Sequence, residues 1–173
     1  MGHKLFHTDA TSFPATFVPG NVLTDEHLEV FPILPTGSAA DTPRPDLTSL
    51  TSLNPLRGHV SAIYLGNVFH LFTEQEQVRL ARALAGLLLP QPGSAIGGWN
   101  AGALQKGEKT LVRGASNESS ITQFLHSPET WKELWDGEVF EKGTVKVEAN
   151  LVSYKTEFST GEFYFLSWSV TRL

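Results

Sequence analysis

The chain has 173 residues, of which 40% are hydrophobic, 18% charged and 10% aromatic, a globular composition at a one-domain length. Cysteine is absent, which excludes a disulfide scaffold, a Cys-ligated zinc or iron–sulfur centre and a thiol nucleophile. A formal net charge of −5 gives no electrostatic basis for nucleic acid or an anionic membrane as partner, and no apolar run is long enough to span a bilayer.

The first ten residues (MGHKLFHTDA) hold no apolar h-region, so the expected location is cytoplasmic. Residues 16–23 (TFVPGNVL) offer a first strand, which Pro19-Gly20 ends. Residues 24–58 carry five of the ten prolines and read as a long irregular loop. Inside it, LTSLTSL at 47–53 spaces leucines three apart, enough for one or two helical turns. Residues 60–65 (VSAIYL) are apolar at nearly every position, the pattern of a strand buried on both faces.

Residues 73–89 form the best helix. Thr73 with Glu76 three residues on makes a capping box, and Glu74 and Glu76 suit the positive end of the helix dipole. Val78, Ala81, Ala85 and Leu88 make one apolar stripe, widened by Leu84 and Leu87. PQPG at 90–93 stops it. A short strand of small residues follows at 94–99 (SAIGGW), then a second, polar loop over 100–126. Ser127-Pro128 starts another helix, with Ser as N-cap and Pro at the first position, and Trp131, Leu134 and Trp135 share one face. Residues 144–154 alternate apolar and polar, as does the run to Leu173, with a hairpin-length turn at 155–161 between them. The order predicts an α/β domain over residues 1–173, with a mostly parallel sheet and a C-terminal antiparallel hairpin.

In an open α/β sheet, ligands bind beyond the carboxyl ends of the strands. That rule selects Asn21 and Val22 after the first strand. After the second it selects Gly66, Asn67, Val68, Phe69 and His70, and after the third Gly98, Trp99 and Asn100. His70 precedes the capped helix; it reads either as a base or substrate contact, or as a histidine that caps and packs the loop. The six histidines make no metal-ligand spacing, so no metal site is expected. No G-x-G-x-x-G, P-loop or G-x-S-x-G motif occurs. Asn117-Glu118-Ser119 matches a glycosylation sequon by chance. Phe163, Tyr164, Phe165 and Trp168 read as core and sheet surface.

The string IYLGNVFHLFTEQEQVRLARALAGLLLPQPGSAIGG, followed by HSPETWKELWD and a β-hairpin, resembles the C-terminal two-thirds of fungal class I S-adenosylmethionine-dependent methyltransferases. The likeness is to the small-molecule enzymes of secondary metabolism, meroterpenoid pathways included. It rests on residues 68–72, 74–94 and 126–135; residues 2–6 and 17–23 resemble the family's segment around its third strand. The resemblance implies a truncated Rossmann-like sheet, S-adenosylmethionine as cofactor and a small-molecule acceptor. It casts Asn21, Val22, Gly66 and Asn67 as cofactor contacts, Phe69, Trp99 and Asn100 as acceptor contacts, and His70 as the catalytic group.

The family's glycine-rich cofactor loop and its ribose-binding acidic residue have no match in these residues. Three readings follow: a methyltransferase, a methyltransferase-like partner subunit, binding module or cofactor-free enzyme, and a fragment. The family sheet order 3-2-1-4-5-7-6 would leave strand 60–65 with an open edge. Residues 16–18, a second copy in a homodimer, or another partner are expected to cover it.

Overall fold

The computed structural model describes residues 7–9, 11–12, 15–40, 42–113, 119–154 and 163–173. Helix α1 (Glu74–Leu87) begins as its sequence dictates. The Thr73 hydroxyl accepts from the Glu76 amide, and a Glu76 carboxylate oxygen accepts from the Thr73 amide at 2.9 Å. Helix α2 (Pro128–Trp135) starts with Ser127 as N-cap and Pro128 in the first turn, and Thr130 returns the reciprocal bond. Leu88, which the apolar stripe assigned to α1, leaves the helix to bridge Val60.

Strands β1 (Ala62–Gly66), β2 (Ala95–Gly102), β5 (Val145–Tyr154) and β6 (Phe163–Arg172) form one sheet in the order β1-β2-β6-β5. Only β1–β2 is a parallel pair; β2–β6 and β5–β6 are antiparallel. The mostly parallel expectation is therefore corrected by the position of β6. This strand inserts between β2 and β5, which run in the same direction, and turns both of its pairings antiparallel. The turn at 155–161 lies outside the described residues, as do residues 2–6 and the sequon residues Asn117 and Glu118.

One sheet face meets the helices. Ile96, Leu166, Trp168 and Val170 are buried there against Leu80 and Leu84 of α1 and Trp131 and Trp135 of α2. Truncating or adding bulk on this face would be felt throughout, because such interiors are close-packed. The opposite face carries Tyr64, Trp99, Phe165, Val152 and Tyr154 and belongs to no part of that core. This corrects the reading of 60–65 as a strand buried on both faces. Ile63 and Leu65 pack inward, while Tyr64 is 74% exposed.

Two segments read as loops are more organised than their composition implies. Residues 24–58 include two 3-10 turns, Leu47–Ser49 and Asn54–Leu56, and are stitched down. Arg79 of α1 donates to the carbonyls of Val22 and Leu28, and Asn54 bridges Asp25 and Glu29. Arg172 reaches across to the Leu34 carbonyl at 2.5 Å. Residues 100–126 hold strands β3 (Gly107–Arg113) and β4 (Ser119–Leu125), a two-stranded antiparallel sheet of their own. In contrast, residues 16–19 form no strand, and Phe17 is 85% exposed. Pro19 removes a donor and fixes one dihedral angle, and nothing else in the segment anchors a pairing.

Candidate functional site

The carboxyl end of β1 is organised by a ladder along β2. The Ala95 amide donates to Ser61, and the Asn67 amide donates to the Trp99 carbonyl at 2.8 Å. Asn67 makes that bond in a left-handed conformation, φ 60°, which turns the chain off the end of β1. Where β1 has ended, the next β2 amide on that side, Ala101, donates instead to Nδ1 of His70 at 3.2 Å. His70 sits on a 3-10 turn, Phe69–Leu71, whose carbonyl and amide close the loop into Thr73.

This bond fixes the chemistry of the histidine. Accepting at Nδ1 requires the neutral ring to carry its proton at Nε2. Half-burial without a carboxylate partner lowers the pKa below that of an ordinary histidine, which keeps the ring neutral. A neutral His70 in this position donates through Nε2; its one lone pair is already engaged by the backbone.

The remaining predicted residues divide. Gly66, Asn67, Trp99 and His70 meet at the end of β1 and β2. Asn21 and Val22 do not join them: the Asn21 carboxamide oxygen accepts from the Leu23 amide at 3.0 Å, and the Val22 carbonyl is held by Arg79. Phe69 is corrected from acceptor contact to core. It is 1% exposed and meets Trp131, Trp135 and Trp168 edge-on, with centroids 4.9–6.2 Å away. Asn100 is corrected likewise. It lies inside β2, buried, and its oxygen accepts from the Trp168 indole at 2.8 Å while its amide donates to the Ala101 carbonyl. Trp99 stays half-buried on the open sheet face, edge-on to Phe165 at 5.0 Å.

Beside this junction lies a cavity of about 460 Å³ that the sequence reading missed. Its floor is the end of β2, Ala101 and Gly102, with Ala103 just beyond. Phe163 and Tyr164 of β6 and Leu125 of β4 wall it, and β3 closes it through Lys109 and Thr110. The size fits a small organic molecule. The hairpin that completes it is fixed at its base by buried Gln77, whose amide donates to the carbonyls of both Phe72 and Phe124, at 3.0 and 2.9 Å. Lys106 pairs with Glu74 at the start of α1. Two β-capable runs, GEKTLVR and SSITQFL, separated by a polar stretch, were the available signal for this hairpin.

The chain is similar to a fungal O-methyltransferase. Over 144 residues it is 34% identical to O-methyltransferase phiE of a fungal species, strain ATCC 74256. The aligned stretch is 83% of this chain and 38% of that protein, so the chain spans about two fifths of the relative's length. The similarity supports a methyltransferase relationship. No protein-family model matches the chain.

The described residues do not by themselves make a cradle for S-adenosylmethionine. Neither α1 nor α2 is entered from a strand through a glycine-rich turn, since Thr73 and Ser127 are their caps. The carboxyl ends of β1 and β2 present Asn67, Trp99 and Ala101 rather than a carboxylate. No step is therefore derived through that cofactor. No group of three or more potential metal ligands exists among the described residues, and no described helix is long and apolar enough to cross a membrane.

Proposed function

We propose that this chain serves methyl transfer from S-adenosylmethionine to an oxygen of a small-molecule acceptor, and that the acceptor is held at the end of β2. The observation that carries this reading is the 34% identity to an O-methyltransferase over most of the chain. The sheet adds support: the order β1-β2-β6-β5 with β6 reversed is the arrangement expected of the 4-5-7-6 half of a class I sheet. The acceptor enters the cavity at the end of β2. His70 is not one of the cavity's walls; through Nδ1 it holds the Ala101 amide at the cavity floor and so fixes the end of β2 against which the acceptor rests. Methyl transfer rewards such positioning because the reaction is an in-line displacement sensitive to approach geometry.

A second reading has its own support. With no glycine-rich entry to either helix, the cofactor's polar contacts come from another polypeptide, and this chain acts as a partner subunit or as a cofactor-free binding module. A second copy or a different partner covers the free edge of β1, and the assembly works in the cytoplasm. Calorimetric titration with S-adenosylmethionine and S-adenosylhomocysteine separates the two. Micromolar binding by the isolated chain supports the first; no binding favours the second.

A further inference from the structure

The cavity has a charge as well as a shape. In the β3–β4 register Gly107 stands opposite Leu125 and Lys109 opposite Gln123. Side chains alternate along a strand, so Lys109 and Leu125 share one hairpin face, and both line the cavity. Thr110 belongs to the other face, where its hydroxyl meets that of Thr122 at 3.1 Å. Lys106 is already committed, to the Glu74 carboxylate and to the face of the Phe124 ring. Lys109 has no carboxylate partner among the described residues. A lysine with no such partner therefore lines a cavity together with Leu125, Phe163, Tyr164 and Leu104.

We infer that this cavity selects a small aromatic or alicyclic acid. The apolar body packs against Phe163, Leu104 and Leu125, and an anionic oxygen meets Lys109. This inference deepens the reading of the cavity as an acceptor site and rests on it for the word acceptor. The binding claim itself needs no cofactor and no turnover. The expected ligand is anionic because no described wall residue is a carboxylate: Glu108 lies on the opposite hairpin face, and Glu74 is paired with Lys106. A neutral ring of the same size would gain the apolar contacts and forgo the ion pair.

The experiment is a titration of the chain with 1-naphthoate and with its uncharged analogue 1-naphthalenemethanol, followed by chemical-shift changes. Wild-type protein is expected to bind naphthoate about tenfold more tightly, the size of one charge-assisted contact in a partly open site. Lys109→Met should remove that preference while keeping the affinity for the alcohol. Lys146→Met, whose lysine pairs with Glu148 on β5, should leave it intact. Shifts should centre on Leu125 and Tyr164. Equal wild-type affinities, an unchanged preference in Lys109→Met, a lost preference in Lys146→Met, or no binding of either probe would each overturn the inference. Naphthoate selection without any methyl transfer would leave it standing and count against the proposed function alone.

Discussion

At the scale of single residues, two positions have sharp consequences. A Cβ built on Gly98 would lie 1.8 Å from the Leu65 carbonyl oxygen, inside the parallel β1–β2 pairing. The obstruction is Leu65 backbone, which side-chain rotation cannot relieve, so Gly98→Ala is expected to cost about 3 kcal/mol in urea unfolding and to disturb β1 first. His126 is buried, with Nδ1 on the Thr130 hydroxyl, and burial together with nearby Lys106 lowers its pKa to about 4. Its folded pKa lies below its unfolded one, so its contribution is complete above about pH 6.5. It is lost as pH falls towards 4, because the unfolded chain takes up the proton first. The loss should approach about 3 kcal/mol. Unfolding midpoints measured between pH 7 and 4 should therefore fall more steeply for the wild type than for His126→Leu. Parallel curves would show that His126 is not the group responsible.

At the scale of elements, α2 is the best test of the packing. Trp131 is wholly buried, 4.9 Å from Phe69 and 5.0 Å from Trp168 between ring centroids. Trp131→Ala should cost about 3–5 kcal/mol; a loss below about 1 kcal/mol would place the ring outside the core. This helix was legible because Ser127, Pro128 and the three apolar positions are local signals that tertiary contacts only had to accept. The same holds for α1 and its Thr73–Glu76 box, and for the alternating β5 and β6. The β3–β4 hairpin was not legible in the same way. Its strands are short and polar, and what makes them a hairpin is long-range: Gln77 holding Phe124, and Lys106 reaching Glu74. Of the candidate site, sequence located the end of β1 and the turn with His70. It could not tell that Phe69, one residue earlier, points into the core. It also could not tell that Asn100 continues β2 and bonds Trp168, since both depend on which strand lies alongside.

At the scale of the whole molecule, the two edge strands of the main sheet, β1 and β5, and one of its faces remain without a partner strand or layer among the described residues. β1 ends the strand order, and residues 16–18, which the sequence offered to cover it, form no strand. Beside that edge the outer face shows Tyr64, 74% exposed, then Trp99 and Phe165 in edge-on contact, and Val152 and Tyr154 further along. A row of free backbone groups next to exposed aromatic rings favours pairing with another chain. The isolated chain is therefore expected to self-associate at micromolar concentration, by a two-fold pairing that joins one β1 to another. Light scattering should give a mass near twice that of the monomer, falling on dilution. Tyr64→Lys places a charge beside the edge on the outer face, away from the core, so it should return the protein to a monomer without changing its circular dichroism. If the wild type stays monomeric, or if Tyr64→Lys dimerises as well as the wild type does, β1 is not the contact.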